Sequence, residues 1–237
     1  MSENDMADTR PAITDTATAV PRLYDRLLAA LGPQSWWPAE SAFEVLVGAV
    51  LTQNAAWRNV EQAVDRLQAR DWMTPEAILA APREALAECL RPSGYYNVKS
   101  QRLRAACETW LALGGEAGLI DMETAAMRSA LLEVKGLGPE SVDDVLLYGF
   151  GRPVFVVDAY TRRIFSRIGL VSPRVGYDGL QALFHDALAP DVGQFNEFHA
   201  LIVTIGKSYC RPRTPRCEAC PLRGDCAHGL ARRNQRS

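Results

Sequence analysis

Leu131-Leu132-Glu133-Val134-Lys135-Gly136-Leu137-Gly138-Pro139-Glu140-Ser141 is the stretch on which the reading of the fold turns. Leu131, Leu132 and Val134 close one predicted helix. Val142, Val145 and Leu146, with Phe150 beyond them, mark the next at helical spacing. Gly136 and Gly138 permit a tight hairpin whose backbone N–H groups are presented at the start of the second helix. Such groups can hold a phosphate without reading any base. A purely structural turn between two helices would use the same residues, so the hairpin alone leaves both readings open.

Working outward, helical periodicity dominates. Phe43 to Leu51 is apolar on every side, as in a helix buried within a bundle. Thr52-Gln53-Asn54 interrupts it, and Trp57, Val60, Val64 and Leu67 then form one face of another helix. Leu103, Cys107 and Trp110 mark a further helix, stopped by Gly114-Gly115; Phe195, Phe198, Ile202 and Ile205 mark the last clear stripe. Leu23, Leu27, Leu28 and Leu31 predict a helix that starts at Pro21 and ends at Gly32-Pro33. Residues 1–20 carry a net charge of −3 and no amphipathic stripe, and are expected to be a disordered tail. Pro153 to Val157 is the best candidate strand, and it is short. The fold class is therefore all-α.

The composition agrees. The 237 residues are 48% apolar and 23% charged, enough for one sizeable core or two small domains and too apolar for wholesale disorder. No apolar run reaches the roughly 18 residues of a membrane span. The polar start Ser2-Glu3-Asn4-Asp5 lacks the pattern of a signal peptide. The expected location is the cytoplasm, where thiols stay reduced.

In that setting the cysteines point to a metal. Cys210, Cys217, Cys220 and Cys226 form C-x6-C-x2-C-x5-C. Four thiolates suit tetrahedral zinc or a [4Fe–4S] cluster. Zinc ribbons usually carry two C-x2-C knuckles on separate hairpins, and only one is present here, so the spacing favours the cluster. Cys89 and Cys107 lie on apolar helix faces and read as core. His185 and His199 lie on helical stretches with no partner at metal-ligand spacing and are read as structural. Asp158 follows the apolar run Val154-Phe155-Val156-Val157. It reads as a helix N-cap, as a catalytic carboxylate in an apolar cleft, or as both.

The hairpin Val134–Gly138, Asp158 twenty residues after its second glycine, and the cysteine spacing together resemble the helix–hairpin–helix DNA glycosylases of the endonuclease III superfamily. The likeness covers residues 25–228. It implies an all-α, two-domain fold: a six-helix barrel with the helix–hairpin–helix over 38–152, an iron–sulfur domain from 21–37 and 153–228, and a basic tail over 229–237. The active-site cleft of the family lies between the domains and takes a base flipped out of the duplex. The implied cofactor is a [4Fe–4S] cluster on the four cysteines. The implied partner is double-stranded DNA containing a damaged base, bound by a monomer, with no membrane involved and a nucleoid association in the cytoplasm.

By the same resemblance Asp158 is the catalytic carboxylate. Lys135, Gly136, Leu137 and Gly138 meet the DNA backbone, and Gln53 or Asn54 fills the hole left by the flipped base, with Gln53 favoured. A solvent-facing helix junction would also account for that polar pair. Bifunctional relatives carry a Schiff-base lysine two residues after the second hairpin glycine. Here that position is Glu140, and a carboxylate forms no Schiff base. The chain has three lysines, Lys99, Lys135 and Lys207. Lys135 is the nearest of them but precedes the glycines. A monofunctional glycosylase is expected, with Asp158 activating water and Glu140 facing the base pocket in place of lysine.

Ser35-Trp36-Trp37-Pro38, Val50–Asn54 and Arg91–Lys99 look like the bacterial 3-methyladenine DNA glycosylase III subgroup, whose aromatic pocket suits a cationic alkylated purine. Trp36 and Trp37 are the candidate stacking residues; packing of the N-terminal helix would also explain them. The four cysteines depart from that subgroup. The alternatives are a bifunctional glycosylase/lyase for oxidised pyrimidines and a non-catalytic damage-binding protein. The net charge of −2 hides a segregation: Lys207 to Ser237 holds eight Lys/Arg against two acids, a basic segment suited to phosphates.

Overall fold

The computed structural model describes residues 16–34, 36 and 39–234, of which 232–234 as backbone only. Its described residues contain helices and no strand. They fall into two compact units. Of the described residues, one unit comprises 36, 39–156 and 190–196; the other comprises 16–34, 157–189 and 197–234.

The larger unit is built on α2 (Ala42–Thr52), a helix apolar on nearly all sides and buried from Ala42 to Leu51 except at Glu44. Ser41 caps it by accepting from Glu44 N at 3.2 Å. Around it stand α3 (Trp57–Gln68), α4 (Pro75–Ala80), α5 (Arg83–Leu90), α6 (Tyr96–Ala112), α7 (Gly115–Ile120), α8 (Thr124–Leu132) and α9 (Pro139–Asp144). Val60 and Leu67 of α3, Leu103, Cys107 and Trp110 of α6, and Leu131 of α8 fill the core against α2. Phe43 meets the edge of Trp110 at 5.5 Å between ring centroids. A single π-turn, Val145–Gly149, continues α9 and closes with Phe150 N donating to Val145 O at 3.1 Å. Such turns mark sites where a helix is re-aimed.

The smaller unit contains α1 (Thr16–Leu31), α10 (Ala159–Ile168), α11 (Tyr177–Ala187), most of α12 (Val192–Ser208) and α13 (Ala227–Asn234). Phe165, Phe184 and Phe198 form its aromatic centre, with centroids 4.7–6.3 Å apart.

Three boundaries differ from the sequence reading. Helix α1 begins at Thr16, ahead of Pro21, which sits inside it. Ala19 and Val20 are fully buried, so their packing offsets the hydrogen bond that proline cannot make. The disordered tail expected over 1–20 therefore does not include 16–20. Pro153 to Val157 is an extended loop and not a strand. Its buried Phe155 packs on Phe195, and Val157 N donates to the Tyr177 hydroxyl rather than to a neighbouring strand. The basic end expected as a tail over 229–237 is helical as far as Asn234.

Candidate active site and cysteine loop

The hairpin owes its shape to Gly136. Its φ of +100° lies where residues with a side chain are strained. Leu137 N donates to Val134 O at 3.0 Å and closes the turn. The Leu137 side chain is buried in the core with Val134, so the hairpin is anchored by the residues between and before its glycines. Leu137 was expected to meet DNA; its side chain is committed inward. Gly138 differs from Gly136: its φ is −104°, and a Cβ there would meet nothing within 4 Å. Lys135 is exposed on the turn, and Glu140 is exposed on the first turn of α9.

Gln53 ends α2 and points back into this hairpin. Its Nε2 donates to Gly136 O at 3.0 Å and to Ser141 Oγ at 3.1 Å, while its Oε1 accepts from Arg102 Nη1. Both ends of the amide are committed. The sequence favoured Gln53 over Asn54 as the residue entering the DNA stack; here Gln53 is a strut, while Asn54 is exposed with φ +54°. Lys99, one turn before Arg102, is almost fully buried and donates to Leu51 O at 2.8 Å and Ser93 O at 2.7 Å. Burial, with help from the Arg102 guanidinium, pulls its ammonium down to about 8. Sequence reasoning missed the Lys99 and Arg102 roles. The i, i+3 spacing of Lys99 and Arg102 on one helix was the available signal. It also passed over Tyr95, which stands 73% exposed at φ +46°, an unusual backbone for an aromatic residue.

Asp158 begins α10 as an N-cap. Oδ1 accepts from Thr161 N at 2.7 Å and Thr161 Oγ1 at 2.8 Å, and Asp158 N donates to Thr161 Oγ1 at 3.4 Å, completing a capping box. Oδ2 faces His199 Nε2 of α12 at 3.7 Å, ion-pair range rather than a direct hydrogen bond. Burial would raise the Asp158 carboxyl, but His199 and the two Thr161 donors outweigh it and hold it below the usual carboxylate range. The sequence, with no partner at metal-ligand spacing, marks His199 as structural; the fold places it opposite Asp158, 41 residues away.

Trp36 is half-buried. Trp37, Ser35 and Pro38 lie outside the described residues, so the expected aromatic pair is described in one member only.

Cys210, Cys217, Cys220 and Cys226 line one cavity of about 30 Å³ together with Arg167, Arg223 and His228. Donors are aimed at the sulfurs: Arg167 Nη1 at 3.3 Å from Cys210 Sγ, and Gly229 N at 3.4 Å from Cys226 Sγ. Arg167 also donates to Arg211 O and Pro212 O, both at 2.8 Å, and Arg163 to Cys210 O at 2.7 Å. Asp225 is held by Arg22 at 3.3 Å and by Arg26. Burial first, then the neighbouring thiolates, push Cys220 up to about 11. Among the described residues no three His, Cys, Asp or Glu side chains converge as they would on one metal ion. Lys207, Arg213 and Arg216 are exposed; Arg232, Arg233 and Arg236 have no described side chain. No described helix is long and apolar enough to cross a membrane.

Comparison with known proteins follows these features. Residues 47–190 match the HhH-GPD superfamily base excision DNA repair protein family. A Methanocaldococcus jannaschii protein named a DNA repair glycosylase is 40% identical over 208 residues, 86% of this chain and 94% of its own. A solved Helicobacter pylori 3-methyladenine DNA glycosylase, MagIII, bound to 1,N6-ethenoadenine is 30% identical at a TM-score of 0.67, covering 81% of this chain and 97% of that one. An endonuclease III trapped covalently on DNA superposes at a TM-score of 0.80 with 21% identity, covering 92% and 98%, and shares the all-α fold. The chain belongs to the HhH-GPD superfamily of base excision repair proteins, in its endonuclease III-like branch, and is a DNA glycosylase.

Proposed function

We propose that this glycosylase is monofunctional: it removes an alkylated purine by hydrolysis, with Asp158 as the catalytic carboxylate and water as the nucleophile. The observation that carries the reading is the buried carboxylate of Asp158, which its surroundings keep ionised. As the bond between C1′ and the base lengthens, positive charge grows on the sugar. A carboxylate in an apolar setting stabilises that charge far better than water does. Water then adds to C1′, its proton passes to Asp158, and the base leaves with the electron pair of the broken bond.

The residue at the Schiff-base position supports hydrolysis over lyase chemistry. Glu140 offers no amine there, and Lys99 is engaged with two main-chain carbonyls. Lys135 remains the one exposed amine beside the hairpin glycines, at a position suited to a phosphate. The likeness to the Helicobacter protein supports an alkylated purine as substrate, with Trp36 and Trp37 stacking on it and Glu140 facing it. On the DNA side, the Gly136 and Gly138 backbone would meet a phosphate. Asn54 and Tyr95, both exposed in left-handed conformations, would enter the stack around the extruded base.

The four cysteines would hold a [4Fe–4S] cluster. The donors aimed at their sulfurs fit thiolate ligands. All four thiols line one cavity, as the ligands of a single cluster would. Bound there, a cluster would cross-link four points of the loop that carries the exposed Arg213 and Arg216. Iron analysis and the visible thiolate-to-iron absorption band test it.

The decisive experiment is single-turnover base release from duplexes carrying 3-methyladenine, 7-methylguanine, 1,N6-ethenoadenine, thymine glycol, uracil or a T:G mismatch. Release of an alkylated purine without a borohydride-trapped adduct is the expected outcome. Release of thymine glycol with a trapped adduct would replace it with a glycosylase/lyase, and release of no base with a damage-binding protein. Asp158→Asn keeps an N-capping side chain and should abolish release while leaving binding and folding intact.

A further inference from the structure

Asp158 has two oxygens in different surroundings. Oδ1 is fully used by the capping box, accepting from both Thr161 donors. Oδ2 is left for chemistry, and the group facing it is His199 Nε2, 3.7 Å away. His199 is 4% exposed and sits in α12 among the buried Phe195, Phe198 and Ile202. The other charges on nearby elements are engaged elsewhere or at the surface. Arg162 of α10 donates to Val175 O, and Arg163 donates to Cys210 O and Gly206 O. Glu197 of α12 accepts from Gln34 N at 2.8 Å, and Lys207 is exposed. Arg22, Asp25 and Arg26 of α1, and Asp178, His185 and Asp186 of α11, lie at the surface. His199 is thus the group among these that faces the buried carboxylate.

We propose that His199 is a positioning residue for base removal: facing Oδ2 of Asp158, it keeps that oxygen ionised and oriented while the helix cap fixes the other. An isolated ionised carboxylate is costly to bury and takes up a proton instead. The cap supplies two donors to one oxygen, and His199 Nε2 faces the other. This inference rests on Asp158 being the catalytic carboxylate. It adds that the acid limit of activity is set from α12.

The test uses the full-length protein with His199→Phe and His199→Gln. Base release is measured under single-turnover conditions across pH, and the Asp158 side-chain carboxyl is titrated by 13C NMR without DNA. The acid limb of the pH–rate profile should move to higher pH in both variants, more in the phenylalanine. Release at a pH on the parent's limb should fall roughly tenfold for each unit of movement. The plateau at higher pH should stay within a few-fold of the parent. The Asp158 carboxyl should titrate at higher pH in step. Rates that fall equally at every pH, or an Asp158 titration that does not move, overturn the proposal. Should the phenylalanine variant not fold, the glutamine variant carries both measurements, since it keeps an N–H donor and removes the ionisable ring. The NMR titration judges the coupling whether or not Asp158 is catalytic. Undiminished release by Asp158→Asn would sink the catalytic reading alone.

Discussion

Alanine at Gly136 and alanine at Gly138 should have opposite consequences, although the two glycines stand two residues apart in one hairpin. At Gly136 the backbone sits at φ +100°, which costs a residue with a Cβ about 1–2 kcal/mol. The new Cβ would also lie 2.6 Å from Arg102 Cδ and Nε, so Arg102 must move. Moving it breaks the charge-assisted bond to Gln53, worth about 1.5–3 kcal/mol. The expected loss is roughly 3–4 kcal/mol, a fall in Tm on the order of 10 °C for a chain of this size. At Gly138 the backbone is ordinary and a Cβ meets open space, so folding stability should change by no more than about 0.5 kcal/mol. If the proposed phosphate contact is made there, Gly138→Ala should weaken duplex binding at least about tenfold. Thermal unfolding followed by circular dichroism, with fluorescence anisotropy on a labelled duplex, measures both. A double-mutant cycle isolates the Arg102 contribution: in an Arg102→Ala background, Gly136→Ala should cost only the backbone part, about 1–2 kcal/mol. Additivity of the two changes would refute the packing argument. Unaltered DNA affinity in Gly138→Ala would refute the phosphate argument.

Lys99 gives a pH test of folding. Its ammonium titrates near 8 in the folded protein, below the ordinary lysine value, so between those two pH values the unfolded chain binds more protons. The Lys99 contribution to stability therefore rises with pH through that window, and the Tm gap between parent and Lys99→Met should widen from pH 8 to 10. A constant gap would count against the burial of a charged amine. Arg167→Ala removes three contacts to the cysteine loop; purified protein should hold less iron and lose its visible absorption faster in air, and an unchanged iron content would argue against Arg167 as a support of the loop. Glu140→Lys places an amine at the Schiff-base position, and borohydride should then trap an enzyme–DNA adduct on a substrate whose base the parent releases; no adduct would mean that the first turn of α9 does not reach the sugar.

Local pattern made much of the fold legible. The all-apolar run at Phe43–Leu51 is the buried α2, and Leu103, Cys107 and Trp110 share the inner face of α6. The hairpin glycines announced a turn, yet periodicity could not separate them. Only the backbone angle and the nearness of Arg102 tell Gly136 from Gly138. Pro153 to Val157 misled because an extended apolar segment reads as a strand whether or not a partner strand exists. Here its ends are satisfied by Arg152 O and the Tyr177 hydroxyl. Pro21 misled in the other direction, because burial of Ala19 and Val20 outweighs the missing donor.

The functional site shows a sharper version of the same limit. The Asp158 cap could be read from sequence because it is local, needing only Thr161 three residues on; the catalytic role proposed for it is suggested by the apolar run before it. What makes that carboxylate usable is not local. His199 meets it across 41 residues, and a histidine on an apolar helix face carries no mark of its partner. The same holds for Gln53, whose amide reaches the hairpin 83 residues away. It looked available for DNA because the sequence shows a polar residue at a helix end and not the three groups it already serves. In both cases the sequence singles out the residue, and the fold shows which groups its side chain meets. Variants at His199 and Arg102 should therefore alter pH dependence and hairpin order respectively, leaving the identity of the base removed to the pocket itself.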